Sequence, residues 1–281
     1  MGARALTLRR GAGSAASLVL VLGVLAACSG GKAKSAASTT TAADIQSTIG
    51  ISTTSPTSSS TTTTLPSGCD AGPLPSSAIR ISRAAGDFNG DGTPDTLVVY
   101  GTGNDITPSP YVVRVELGRG AGTVETPIVD AATDPNQNVK ALGSAEISAR
   151  AGLPADGSGA EAFVAVGSGA STFLVGIYQL TACRLVRLTG SSGMTPAALP
   201  VGGTVTHLSG LRCDGIAGGT RLVRVAAEST DGVTYDTSEQ PLDVTDGKLV
   251  PPGPPVKGTL SVNDPALPRF GGLDCAGVDA A

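Results

Sequence analysis

Asp87-Phe-Asn-Gly-Asp-Gly-Thr-Pro-Asp95, followed at once by Thr96-Leu-Val-Val-Tyr100, is the stretch on which the reading of this chain turns. Side-chain oxygens recur at alternate positions, on Asp87, Asn89 and Asp91. Gly92 permits a sharp turn, the Thr93 carbonyl adds an oxygen, and Asp95 closes the loop. Three carboxylates and one amide suit a hard cation that takes about six to eight oxygens at roughly 2.3–2.6 Å. Such a set favours Ca²⁺ over Mg²⁺, which keeps a smaller, more hydrated octahedron, and over Zn²⁺, which seeks His or Cys. The β-branched run after Pro94 predicts that the loop opens a strand. The fold implied is all-β.

The rest of the body, residues 68–281, reads the same way. Tyr111–Leu117, Ala162–Val166, Thr172–Tyr178, Cys183–Leu188 and Arg221–Val225 are short, rich in β-branched residues and separated by Gly, Pro, Asp and Asn. No long apolar stripe of helical period occurs there. Four segments begin alike, around Phe88, Leu153, Leu211 and Leu273, spaced 65, 58 and 62 residues apart. They predict repeated four-stranded meanders near 78–135, 136–200 and 201–256, with a partial unit at 257–281. Three full units fall short of the blades of a closed propeller. The expectation is an open, propeller-like stack, with a β-sandwich of the same meanders as the alternative.

The first positions of the loop match an EF-hand, but its twelfth position is Val98, not Glu, and Pro94 argues against an exiting helix. The stretch instead resembles the FG-GAP/VCBS type of repeat, whose pattern is Asp-Phe-Asn-Gly-Asp-Gly-x-x-Asp before an apolar strand. The resemblance covers residues 86–100 and implies a propeller blade with one structural Ca²⁺ held by Asp87, Asn89, Asp91, Thr93 and Asp95. It also implies surface roles in adhesion or binding of a protein or glycan. The later loops retain only scattered acids (Asp156 with Glu161, Asp214, Asp274 with Asp279) and are expected to bind no metal.

The opening of the chain reads as an address. Arg4, Arg9 and Arg10 precede the apolar run Ala15–Ala27, the pattern of a secretory signal. At about 13 residues the run is short of the ~20 that a spanning helix needs. Leu25-Ala-Ala-Cys28 resembles the lipobox of bacterial lipoproteins. That resemblance implies cleavage after Ala27 (a signal at 1–27), a diacylglyceryl group on the Cys28 sulfur and acylation of the new N-terminus. Each buried CH₂ contributes roughly 0.8 kcal/mol, so two or three chains hold a protein on a membrane. Its expected place is the extracytoplasmic face of the cell envelope, partnered with the membrane through lipid.

Residues 28–67 are dominated by Ser, Thr, Ala and Gly, with too little apolar surface to offset chain entropy, and are predicted to be a disordered tether. Thr clusters beside Pro56 and Pro66 are candidate acceptors of O-linked sugars. Residues 1–67 hold five basic side chains and one acidic one, leaving 14 basic against 22 acidic in the body, a net charge of −8. An acidic body without Trp is a poor match to nucleic acid, which selects basic patches and stacking platforms.

With Cys28 lipidated, Cys69, Cys183, Cys213 and Cys275 remain, an even number that predicts two disulfides in an exported protein. The meander scheme favours Cys183–Cys213, which leaves Cys69–Cys275 to join the two ends.

Catalytic signatures are sparse. Gly-x-Ser-x-Gly is absent, and His207, the single histidine, lies in an alternating stretch that predicts a strand residue. Gly118-Arg-Gly-Ala-Gly122 reads as a hairpin turn, because Thr-Val-Glu-Thr-Pro follows and not a helix. The function expected is non-catalytic binding or structural support; the alternative is a surface hydrolase using paired carboxylates.

Overall fold

The β-branched runs form antiparallel strands, and the protein is all-β. The computed structural model describes residues 69–103, 110–129, 138–147, 159–191, 196–216 and 219–279, all within the compact unit Ser60–Ala281. The signal, Cys28 and the tether lie outside the described residues, as do Leu153 and Asp156. The first meander is β1 (Ile79–Gly86), β2 (Asp95–Gly101), β3 (Tyr111–Leu117) and β4 (Gly122–Ile128), each antiparallel to the next. The second is β5 (Lys140–Ala145), β6 (Glu161–Ser168), β7 (Thr172–Thr181) and β8 (Arg184–Arg187). The third is β10 (His207–Ile216), β11 (Gly219–Glu228), β12 (Thr234–Thr245) and β13 (Lys248–Val250).

Between the second and third lies β9 (Leu199–Thr204), which pairs with both β7 and β10 and merges these two meanders into one sheet. Further along, β14 (Val256–Ser261) pairs with β12, and β15 (Leu273–Asp274) runs parallel to β10. Among the described residues the strand order does not close into a ring. Among the described residues the helical pieces are two 3-10 turns, Gly118–Gly120 and Leu267–Phe270.

The cores follow from the two-residue period of a strand. β6 is buried along seven of its eight residues because it has sheet on both sides. Ala162, Val164 and Val166 pack with Leu97, Val99, Val113 and Val115 of the first meander. Phe163 and Ala165 pack with Leu211, Leu222, Leu242 and Val244 of the third. Strand β6 therefore lies between two cores, one shared with the first meander and one with the third. The other face of the third carries Val223, Val225, Ala227 and Tyr235, covered by Leu267 and Phe270 of the C-terminal segment.

On its outer face the first meander holds a buried cation. Arg114, 1% exposed, reaches Glu116 at 3.1 Å and Glu125 at 3.0 Å, and donates to the Gly72 carbonyl of the incoming chain. Tyr100 donates to the same Glu125 at 3.0 Å. A buried guanidinium needs such partners, since an uncompensated charge is strongly destabilising. Arg114 thereby fixes the lead segment over the sheet.

The four body cysteines form two disulfides, as expected, but neither predicted pair is present: the bonds are Cys69–Cys183 and Cys213–Cys275, Cα atoms 5.0 and 4.7 Å apart. Cys213 lies within β10, away from Cys183. Leu273 and Asp274 of β15 run beside Leu211 and Arg212, which brings Cys275 alongside Cys213. Leu211 and Leu273, read as equivalent positions of successive repeats, are thus strand neighbours. Cys69 is held at the β3–β4 hairpin, where its carbonyl accepts the Thr123 N–H at 2.8 Å. It meets Cys183 in the tight β7–β8 turn, where Ala182 and Cys183 have φ of 46° and 60°.

Candidate functional site: the Asp87–Asp95 loop

The loop joins β1 to β2 at one end of the first meander. Phe88, 1% exposed, drives its side chain into the core and anchors the stretch. Its neighbours Asp87 and Asn89 are consequently left at the surface. Gly92 takes φ +75°, the left-handed turn that an L side chain resists.

Backbone N–H groups orient the oxygens. Asp87 accepts from Asp91 N at 3.1 Å and from Gly92 N at 2.8 Å through its two oxygens. Asn89 Oδ1 accepts from the same Asp91 N at 3.0 Å, and its amide donates to Asp91 Oδ2 at 3.0 Å. Asp91 Oδ1 accepts from Thr93 N at 2.7 Å. Asp87, Asn89 and Asp91 are thereby gathered on one side of the turn by Asx-type bonds. Among the described residues no cluster of three or more His, Cys, Asp or Glu stands already at metal-ligating distance. The side chains now serve the turn.

Asp95 has a separate position. It is the first residue of β2, 1% exposed, and accepts from Phe88 N at 2.8 Å and from Gly118 N at 2.7 Å. Burial pushes its carboxyl above the usual carboxylate range. The N–H groups of Gly118 and Phe88 pull it back, and the charges of Asp91 and Asp87 push it up again. Desolvation also acts upward on Asp91, but hydrogen bonds from Asn89 and Thr93 and the charge of Arg119 prevail, so its carboxyl lies below the ordinary value. Asp95 thus lies within the field of both Asp91 and Asp87.

Two contacts that the sequence did not disclose complete the loop's setting. Gly118, with Arg119, comes from the β3–β4 hairpin. Gly159 comes from the segment leading into β6, where a Cβ would stand 2.2 Å from the Asp87 carbonyl oxygen. Ala160 N then donates to that oxygen at 2.7 Å. Their only sequence signal is a glycine in a turn-rich stretch, which is too common to assign.

The other candidates lie apart. Glu161 is 1% exposed and accepts from Ile147 N at 2.8 Å. Asp214 pairs with Arg212, which also reaches Glu239 at 2.7 Å. His207 opens β10, half-exposed, with Nδ1 3.7 Å from Glu228 and Nε2 3.0 Å from the Ser209 hydroxyl. This order of groups is that of a hydrolytic relay, and an open pocket of about 530 Å³ adjoins His207 and Glu228. Ser209, however, is only 5% exposed and does not line that pocket, so its hydroxyl is poorly placed to meet a substrate. Asp95 is equally ill suited to general acid work, because both oxygens already serve backbone donors.

No protein-family model, no curated protein and no solved structure matches the chain. Among the described residues no helix is long and apolar enough to cross a membrane.

Proposed function

We propose that this chain is a bacterial envelope lipoprotein, anchored by lipid on Cys28, whose β body is stabilised by one Ca²⁺ and serves binding or structural support without catalysis. The anchoring rests on Leu25-Ala-Ala-Cys28 at the end of a short apolar run. Two disulfides in the body are in keeping with an oxidising compartment outside the cytoplasm. Metabolic labelling with palmitate tests the anchor: the parent takes up label and Cys28→Ser does not. A parent without label ends the reading.

The ion rests on one observation above the others, the gathering of Asp87, Asn89 and Asp91 above a buried Asp95. The charges of Asp91 and Asp87 bear on Asp95 there, and Arg119 is the cation that bears on Asp91. A divalent cation would relieve that repulsion. Asp87, Asn89, Asp91, the Thr93 carbonyl and Asp95 would hold it, each carboxylate oxygen keeping a lone pair beyond its N–H bond. The work of the ion would be structural, fixing the turn and the start of β2. Its partner in the envelope would be a protein or glycan.

A further inference from the structure

We propose that the two disulfides form a load path that carries tension from the tether past the first meander, leaving β1–β4 and the Asp87–Asp95 loop unstretched. The direction of load rests on the membrane-anchored reading above; the path itself rests on the fold.

Cys69 is the first described residue of the body, 6% exposed and packed in the first core. Tension arriving from the tether meets this residue before any strand. Through its sulfur the load crosses to Cys183, 114 residues further on. Residues 70–182, which hold β1 to β7, form a closed loop in parallel with that bond and are not extended. The main chain then carries the load through β8, β9 and the first part of β10. At Cys213 it crosses again to Cys275, 62 residues away, and β11 to β15 are bypassed.

Only the stretch from Cys183 to Cys213 remains in series between the two ends of the body. Its strands are stitched across the sheet: β8 pairs with Tyr178–Thr181 of β7, and β9 with Thr172–Val175 of β7 and with His207–Ser209 of β10. Strands separate by breaking hydrogen bonds, whereas the cross-links are covalent. A body built this way keeps the Asp87–Asp95 loop intact while its lipid end is held and its far end is gripped.

The test is single-molecule stretching of the mature chain with Cys28→Ser, held at its two termini. With disulfides intact, the body should release the 30-residue separation between Cys183 and Cys213 and no more, about 100 Å at ~3.5 Å per residue. After reduction it should release the 206 residues between Cys69 and Cys275, about 700 Å. Chemical reduction serves even where cysteine variants fail to fold. A longer release from the oxidised chain overturns the proposal. So does no release at all, the signature of a Cys69–Cys275 link. A failed lipid anchor would show in palmitate labelling and leave the force trace unchanged.

Discussion

Asp95 and Glu161 occupy the same place in successive meanders. Each is the first residue of its meander's second strand, each is 1% exposed, and each accepts a backbone N–H from the segment before it. The repeat thus preserves a buried carboxylate at the strand entrance even where the oxygen-rich loop is lost. A buried acid satisfied by backbone donors ties the loop down whether or not an ion is present.

Removing that acceptor should be costly. Asp95→Ala strands the N–H groups of Phe88 and Gly118, and unsatisfied buried donors cost about 1–3 kcal/mol each. Urea denaturation should show a loss of about 2–4 kcal/mol, and Glu161→Ala, which strands the Ile147 N–H, a loss of at least about 1 kcal/mol. A change within about 0.5 kcal/mol would mean that water replaces the carboxylate.

Gly159 provides a steric test. An alanine Cβ there would lie 2.2 Å from the Asp87 carbonyl oxygen and 2.3 Å from the Phe88 carbonyl carbon, so backbone must move. Gly159→Ala should lower stability by about 1–3 kcal/mol. Gly215→Ala, with nothing within 4 Å of the added carbon, should be nearly neutral. Equal midpoints for the two variants would refute the clamp on the loop.

Alkaline pH probes the Arg114 network. Burial first, then the hydrogen bond and charge of Glu125, raise the Tyr100 phenol above its ordinary 10.0. The folded state therefore holds this proton more tightly than the unfolded one. The resulting stability is complete below the unfolded value and is lost as pH rises through the folded one. Stability of the parent should fall more steeply above about pH 10 than that of Tyr100→Phe. Parallel curves would remove Tyr100 from the account.

The cross-links predict a definite peptide map. Digestion without reduction should yield Cys69 joined to Cys183 and Cys213 joined to Cys275. Loops of this length stabilise by about 4–5 kcal/mol in the chain-entropy description, so reduction should lower the midpoint markedly. A Cys183–Cys213 peptide would contradict the fold at β15.

Much of the architecture is legible in the residues. The bounds of Tyr111–Leu117 follow from the sequence, because a β-branched run sits between Pro110 and the Gly118 turn. β12 was not seen. Thr234–Thr245 is mostly polar and contains Pro241, which argues against an inner strand. In the structure Pro241 falls between Glu239, the last residue paired with β14, and Asp243, the first paired with β13, where a missing N–H is least disruptive. The disulfide partners were illegible for a related reason. They depend on the return of Leu273–Asp274 beside β10, a two-residue strand with no periodic signal. Within the loop, the alternation of Asp87, Asn89 and Asp91 disclosed the gathered oxygens. Gly159 and Gly118, far off in sequence, became partners only through the packing of β6 and the β3–β4 hairpin.

The central claim is that the Asp87–Asp95 loop holds Ca²⁺, and calorimetric titration of the mature chain bearing Cys28→Ser tests it most directly. The account predicts one Ca²⁺ bound per chain, with the heat abolished by Asp91→Ala. No heat from the parent chain, or the same heat from the variant, would contradict it.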